Sequence, residues 1–240
     1  MTTKENLKSK YWRTANLYKI TNKAGELITF VRNRAQGHFN KNRTLRDIIL
    51  KSRQLGFTTD ESIDSLDDVL WNASFNSLML SYDKESQEEI FDNKVVLAWE
   101  NYKPALKGLY VLDTDRSNKL KFGFGDGSFS SIMVRTRGRS GTYQRLHISE
   151  FAKICKEDPK KAREIISGTI PAVPLGGKIT IESTAEGEFG AFADMFWEAW
   201  ERGEPTKPTE FKAHFYNWQW DDEEIAKIVS VDPSIPEEFL

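Results

Sequence analysis

The spacing of apolar residues along the chain changes repeatedly between a strand pattern and a helix pattern. From Arg46 onward, short runs of apolar and β-branched residues alternate with stretches in which apolar residues recur every three or four positions. Strands are predicted at 47–51, 77–82, 145–149, 178–183 and 211–215. Helices are predicted at 60–73, 84–102, 159–166 and 191–202. Strands that alternate with helices are typical of a mostly parallel sheet flanked by helices, so we predict an α/β fold.

Two segments depart from this alternation. Residues 119–124 and 129–136 have the pattern of antiparallel strands, joined by a Gly-Asp-Gly-Ser turn that suits a tight hairpin. Residues 1–29 carry aromatic and apolar side chains among many lysines, which predicts a helical arm packed on the body. We therefore expect an N-terminal arm at 1–29, a main domain with a β-hairpin insertion at 30–217, and a tail at 218–240.

Composition narrows the class of protein. The chain has 240 residues, of which 39% are hydrophobic, enough to bury a core. Its single cysteine excludes an intramolecular disulfide, and with three histidines it leaves no ligand set for structural zinc. No apolar run approaches the roughly 18 residues that span a membrane, and the first residues lack a signal-peptide pattern. We expect a soluble protein that is not secreted and has no membrane partner.

Charge is distributed unevenly along the chain. Residues 1–53 contain 13 Lys and Arg against 3 Asp and Glu, a net charge of +10, so the rest of the chain carries −12. A second basic stretch, 116–145, has seven Lys and Arg against one acid, Asp126. Basic patches of this kind attract phosphate backbones. An ordinary solvated surface is the alternative, and composition alone favours it.

The strand predicted at 47–51 runs into a segment with the layout of a phosphate-binding loop. In the pattern GxxxxGK[ST], Gly56 and Thr58 fit, whereas Lys51 stands at the first glycine and Phe57 at the lysine. A phosphate site therefore needs a cation from another position, and Lys51 and Arg53 are the two candidates. A strand-loop-helix connection with no ligand is the alternative.

Residues of this loop have distinct chemical roles in the phosphate-site hypothesis. Backbone amides and the N-terminus of the next helix would hold a di- or triphosphate, and the Thr58 hydroxyl would bind magnesium. Lys51 would reach the β- and γ-phosphates, and Arg53 would bind the γ-phosphate as a fork. The predicted nucleotide-binding residues of the loop are Lys51, Ser52, Arg53, Gln54, Leu55, Gly56, Phe57, Thr58 and Thr59.

Two other predicted strands end in polar residues. In nucleotide hydrolases of this topology, the strand beside the phosphate-loop strand ends in an acid that holds magnesium, followed by a glutamate that activates water. Here these positions are Ser149 and Glu150, so Ser149 would be a weak ligand and Glu150 the general base. The predicted metal site is therefore Thr58, Ser149 and Glu150. A third strand ends at Ser183, and the polar groups that follow could sense the γ-phosphate, although a helix cap is an equal alternative.

These motifs together resemble those of the ATPase domain of the large terminase subunit of tailed bacteriophages, the motor that packages viral DNA. The resemblance spans about residues 28–220. The family's phosphate loop SRQxGxT matches the segment from Ser52 to Thr58, and its SE segment matches Ser149-Glu150-Phe151-Ala152. Its coupling motif matches Ser183, Thr184 and Ala185.

The resemblance implies a P-loop NTPase core of the ASCE or RecA-like kind, with ATP and Mg2+ as cofactors. It implies ATP hydrolysis that drives double-stranded DNA into a procapsid. The implied partners are double-stranded DNA, the portal protein and the small terminase subunit. Several copies would form a ring on the portal in the host cytoplasm, although the isolated domain could be a monomer in solution.

The resemblance also assigns roles outside the main motifs. Gln36 looks like the family's adenine-contacting glutamine, since an amide offers a donor and an acceptor together. Arg139, favoured over Arg137, looks like an arginine finger acting on a neighbouring subunit, with contact to the DNA backbone as an equal alternative. In the family a nuclease domain follows the motor, and this chain ends too early to contain it. We therefore interpret 218–240 as the start of a linker and expect no nuclease activity.

Two further functions remain open at this point. One is a helicase or recombination ATPase with the same core fold. The other is a regulatory module that binds nucleotide without hydrolysing it, which Phe57 and Ser149 keep in consideration. A protein that only binds DNA would show no response to ATP.

Overall fold

An eight-stranded sheet forms the centre of the molecule. The structure is a computed structural model, and it describes residues 3–116, 118–138 and 141–221. The N-terminal elements are α1 (Thr3–Lys8), α2 (Lys10–Leu17), β1 (Lys19–Thr21), β2 (Leu27–Thr29) and α3 (Arg34–Asn42). Then come β3 (Arg46–Lys51), α4 (Phe57–Trp71), β4 (Asn76–Leu80), α5 (Lys84–Ile90), a π-helical segment (Phe91–Val96), α6 (Leu97–Glu100) and α7 (Pro104–Lys107).

The second half of the chain supplies most of the remaining sheet. Its strands are β5 (Val111–Arg116), β6 (Lys119–Gly123), β7 (Phe129–Arg135), β8 (Arg145–Ser149), β9 (Lys178–Ser183) and β10 (Lys212–Tyr216). Its helices are α8 (Phe151–Glu157), α9 (Pro159–Glu164), a π-helical segment (Ile165–Thr169), α10 (Ala191–Arg202) and a 3-10 turn (Trp218–Trp220). None of the described helices is long and apolar enough to cross a membrane.

The strand order is β10-β3-β9-β8-β4-β7-β6-β5. Pairings from β10 through β7 are parallel, and β6 and β5 extend the sheet as antiparallel strands. One face packs on α8, α9 and α10, and the other packs on α4, α5 and the N-terminal elements. The predicted fold class, a mostly parallel sheet flanked by helices with a β-hairpin, is confirmed.

Most of the predicted core elements are present. Strands β8 and β9 and helix α10 have the predicted bounds, and β3, β4, β6, β7 and β10 differ from prediction by one or two residues at an end. Helix α4 begins at Phe57, three residues before the predicted start, because the loop turns directly into it. The helix predicted at 84–102 is interrupted by a π-helical segment, and the one predicted at 159–166 ends in another.

Several elements were not predicted. They are α3, α7, α8, β5 and the antiparallel pair β1–β2. The pair lies within the segment for which a helical arm was predicted, so that prediction is correct only for α1 and α2. The Asn22 side chain explains the difference, because its Oδ1 accepts hydrogen bonds from the backbone of Ala24 and Glu26 and stabilises a turn instead of a helix.

Helix α4 is buried along almost its whole length, although it carries five carboxylates. All five are less than a tenth exposed: Asp60, Glu61, Asp64, Asp67 and Asp68. Their partners come from distant parts of the chain, in the pairs Arg13–Asp67, Arg32–Asp60, Lys10–Asp68, Arg145–Glu61 and Arg145–Asp68 at 2.7 Å and Arg43–Glu61 at 3.0 Å. This ionic layer fixes α4 against the N-terminal elements and β8.

These pairs change the interpretation of the basic stretches. Arg13, Arg32 and Arg43 belong to the basic N-terminal region, and Arg145 belongs to the second basic stretch. Each is bound to α4 in the interior, so none of them is a surface charge available to a phosphate backbone. The structure therefore corrects part of the surface-patch interpretation, because much of the positive charge compensates buried acids.

Arg145 is enclosed at the centre of the ionic layer, with a side chain 1% exposed. Burial opposes its charge, but Glu61, Asp64 and Asp68 outweigh burial and raise the pKa of Arg145 well above its usual value. Burial likewise opposes the charge of Glu61, yet Arg145 and Arg43 lower its pKa to about 2. Both groups are therefore charged at neutral pH.

Arg145→Met should lower the free energy of unfolding by about 3 kcal/mol, because it leaves buried carboxylates short of a partner. Urea denaturation measures the change. Arg163→Met is the control, since Arg163 lies exposed on α9 and its loss should cost within about 0.5 kcal/mol. Equal stability of the two variants would contradict a structural role for the ionic layer.

Candidate active site

The candidate site lies at the carboxyl edge of three adjacent parallel strands, β3, β9 and β8. Ligands of open α/β sheets bind at this edge. One detail of the prediction is wrong. The strand that leads to Glu150, β8, does not neighbour the phosphate-loop strand β3, because β9 lies between them. The side chains at the end of β9 are therefore closest to the loop.

The loop between β3 and α4 has a fixed left-handed geometry. Gln54 has φ 63° and Gly56 has φ 72°. Gln36 closes the loop from α3, since its Nε2 donates to the Gly56 carbonyl at 2.8 Å. Its Oε1 accepts from the backbone of Asn33, and Asn33 Nδ2 donates to the Leu55 carbonyl. Gln36, the predicted adenine contact, is 4% exposed and contacts the loop itself.

Phe57 and Lys51 have exchanged the usual environments of this motif. The Phe57 side chain is 1% exposed and packs on Phe39 and Tyr216, away from solvent. Lys51 ends β3, and its Nζ lies 3.2 Å from Glu150 Oε1 and 3.2 Å from Glu182 Oε2. Burial opposes the charge of Lys51, but these two carboxylates outweigh burial and raise its pKa. The ammonium is therefore charged and stands between two acids.

Glu150 is held from two sides. Its Oε2 accepts from Thr184 Oγ1 at 3.1 Å and from the Thr184 backbone at 3.4 Å, while its Oε1 faces Lys51. Ser183 is buried and donates to Glu150 at 3.5 Å. Glu150 also has φ 53°, a left-handed conformation that is uncommon outside glycine and is often found at functional sites. The predicted base and the predicted coupling residues are thus in contact.

Glu182 is a site residue that the sequence analysis missed. It is fully buried on β9, and its Oε1 accepts from Thr58 Oγ1 at 2.6 Å and from Ser149 Oγ at 3.0 Å. Burial alone would raise the pKa of Glu182, but the Lys51 ammonium and neighbouring donors hold it well below its usual range. An available signal was a charged residue in an otherwise apolar and β-branched strand, next to Ser183.

A cavity of about 430 Å³ opens beside these residues. Its lining contains three basic and two acidic side chains with two polar ones: Lys51, Arg53, Lys153, Glu150, Glu186, Gln54 and Thr184. Arg53 is exposed, in contrast to the buried Lys51. The cavity therefore offers cations, an acid and a left-handed loop within one space, which is the combination that phosphate groups require.

The remaining predicted residues lie around this cavity or away from it. Leu55 is buried in the same apolar cluster as Phe57, so only its backbone can contact a ligand. Ser52 and Thr59 are partly buried, and Ala185 is exposed. Arg139 lies outside the described residues. Arg137 forms ion pairs with Asp158 at 3.4 Å and Glu164 at 3.5 Å.

Solved structures with this architecture are known, although no protein-family model and no curated protein sequence matches the chain. The large terminase ATPase domain of Thermus phage P74-26 has a TM-score of 0.62 and 15% identity, with 87% of this chain and 90% of that chain covered. The chain has the fold of a large terminase ATPase domain.

Two larger terminase structures agree with this fold. The HK97 bacteriophage large terminase has a TM-score of 0.61 and 15% identity, covering 98% of this chain and 48% of that one. The large terminase of a thermophilic bacteriophage has a TM-score of 0.52 and 13% identity, covering 85% and 51%. This chain spans about half the length of those two terminases. The terminase-like fold expected from the motifs is therefore confirmed.

Gly56→Ala should destabilise the protein more than Gly25→Ala. Both glycines have left-handed φ, 72° and 80°, so both variants carry a backbone cost of about 1–2 kcal/mol. At Gly25 a Cβ would meet nothing within 4 Å, whereas at Gly56 it would lie 2.6 Å from Gln36 Nε2 and break the contact that closes the loop. Urea denaturation of each variant measures the difference.

The Gln36→Ala background separates strain from contact. Without the Gln36 side chain, the extra cost of Gly56→Ala over Gly25→Ala should disappear. If the excess persists in this background, Gln36 is not what restricts position 56.

Proposed function

We propose that the chain is an ATP-hydrolysing motor domain that moves double-stranded DNA. The observation that carries this proposal is the direct contact of Lys51, Glu150 and Thr184 at the cavity beside the loop. These groups belong to three different segments, and the fold gathers a cation, a carboxylate and a hydroxyl where a terminal phosphate would lie. The terminase-like fold supports the same function.

Each group has a role in hydrolysis. Backbone amides of the loop and the N-terminus of α4 bind the phosphates, and Lys51 and Arg53 neutralise the charge that develops on the γ-phosphate. Glu150 accepts a proton from the attacking water. Its carboxylate is pre-positioned by Thr184, whose hydroxyl and amide both donate to it.

The same edge of the sheet suits a magnesium ion that accompanies ATP. Magnesium prefers hard oxygen ligands, and it is usually bound through one or two carboxylates together with substrate phosphates. Thr58 and Ser149 place hydroxyl oxygens 3.4 Å apart, and Glu150 follows Ser149 directly. When bound, the ion would neutralise charge on the phosphate oxygens and orient them.

Loss of the γ-phosphate would be transmitted through Thr184. Because Thr184 contacts the carboxylate that handles the attacking water, a shift of Glu150 on hydrolysis moves the segment after β9. We propose that Ser183, Thr184 and Ala185 pass this movement to a surface that grips DNA by its backbone, independently of base sequence. The proposed setting is a ring of copies on a portal protein in the host cytoplasm. A small terminase subunit is a further proposed partner, and Arg139 the proposed finger between copies.

Glu150→Gln should bind ATP with near wild-type affinity and lower kcat at least about 100-fold, because the amide cannot accept the proton from water. Phosphate release and fluorescent-nucleotide titration measure the two quantities. A wild-type protein that binds ATP but hydrolyses it no faster than Glu150→Gln would instead support a non-hydrolysing regulatory module. A wild-type protein with no nucleotide affinity would refute both functions.

Lys51→Ala should lower kcat/KM for ATP at least about 100-fold, since it removes the cation that replaces the missing lysine of the loop. Lys84→Ala is the charge-matched control and should keep wild-type kinetics, because the Lys84 side chain is 83% exposed and pairs only along α5 with Glu88. Thermal unfolding of Lys51→Ala checks that the chain remains folded. Unchanged hydrolysis by this variant would rule out Lys51 and leave Arg53 as the candidate.

A further inference from the structure

The position that usually supplies the magnesium-binding acid carries a hydroxyl in this chain. Ser149 ends β8 immediately before the proposed base Glu150. A neutral hydroxyl is a weaker ligand for Mg2+ than a carboxylate, and a site built from Thr58 and Ser149 alone would have no charged ligand. Glu150 is already engaged by Lys51 and Thr184. The charge needed beside the metal must therefore come from another side chain.

Glu182 lies directly beside this position on the next strand. It is the register partner of Ser149 in the β8–β9 pairing. Its Oε1 is 3.0 Å from Ser149 Oγ and 2.6 Å from Thr58 Oγ1, and the two hydroxyl oxygens are 3.4 Å apart. Neighbouring ligands of an octahedral Mg2+ at 2.0–2.1 Å are about 2.9 Å apart. The three oxygens thus form a triangle of the size that one face of such a site requires.

The surroundings of Glu182 keep its carboxylate in place. The side chain is fully buried, and His147 Nε2 approaches Oε1 to 3.5 Å from the same strand as Ser149. Lys51 lies 3.2 Å from the other oxygen, Oε2. Among the described residues, no group of three or more His, Cys, Asp or Glu side chains could hold a metal ion. The site is therefore suited to a metal that arrives with phosphate ligands of its own.

We propose that Glu182 is the magnesium-ligating carboxylate of this ATPase site, in the place of the acid that Ser149 lacks. The inference rests on the proposed function, since the ion would be bound together with nucleotide. Thr58 and Ser149 supply the hydroxyl oxygens beside it, and Glu150 remains free to act as base. The alternative role for the same contacts is that Glu182 acts only as counter-ion of Lys51.

Nucleotide binding in the presence and absence of metal separates these roles. The dissociation constant of a fluorescent ADP analogue is measured in excess Mg2+ and in EDTA, and the ratio of the two values reports the metal. Wild type should bind more tightly in Mg2+. Glu182→Gln, which keeps the size and the acceptor oxygen of the side chain, should lower this ratio at least about tenfold while binding in EDTA is retained.

Two more variants complete the design. Glu188→Gln removes the same charge at an exposed position five residues after Ser183 and should keep the wild-type ratio. Ser149→Asp combined with Glu182→Gln moves the carboxylate to β8 and should restore metal dependence. Thermal unfolding of every variant shows which of them are folded.

Each outcome has a definite meaning. A wild-type ratio in Glu182→Gln overturns the inference, as does an equal loss of affinity in Mg2+ and in EDTA, which is the result for a counter-ion. A folded double variant that stays metal-independent overturns the exchange between the two strands. If wild type binds the analogue without any dependence on Mg2+, the inference alone fails. If wild type binds no nucleotide in either buffer, the proposed function fails as well.

Discussion

The buried carboxylates of α4 are the constraint on which the rest of the structure depends. A helix with five acids can be buried only if each charge meets a partner, because an unpaired ion in the interior costs several kcal/mol. The partners come from α2, the segment before α3, the segment before β3, and β8. Satisfying these charges therefore brings together the N-terminal elements and the central sheet around one helix. That helix begins at the phosphate loop, so its placement also fixes the direction of the loop.

The same requirement accounts for the chemistry of the loop. Because α4 enters the interior at its first residue, the side chain at position 57 faces an apolar cluster that includes Phe39 and Tyr216. A lysine there would place an ammonium among aromatic rings, without the carboxylates that meet Lys51. Phe57 suits this position, and the cation instead comes from the end of β3, where Glu150 and Glu182 offset its burial. The missing lysine of the motif is thus a consequence of packing as well as a difference in sequence.

Sequence reasoning succeeded where the information is local. The apolar periodicity of β8, β9 and α10 identifies these elements to the residue, and the chemistry of strand ends brings Lys51, Glu150 and Thr184 into one hypothesis. It failed where the information is tertiary. The acids of α4 have the pattern of a solvated helix face, and only their partners, up to 84 residues away in the chain, show that they are buried. The order of strands has no local signal either, which is why β9 was not expected between β3 and β8.

That strand order links the two departures of the site from the usual pattern. Lys51 ends β3, and the strand beside it is β9, so an acid that compensates a buried ammonium at this point is best supplied from β9. An acid at position 149 would lie one strand farther from Lys51, whereas Glu182 reaches Lys51 with one oxygen and the Thr58 and Ser149 hydroxyls with the other. Moving the cation to the end of β3 therefore favours moving the acid to β9. On this argument the absent lysine and the absent acid are two halves of one rearrangement, in which a single carboxylate serves both the relocated cation and the metal position.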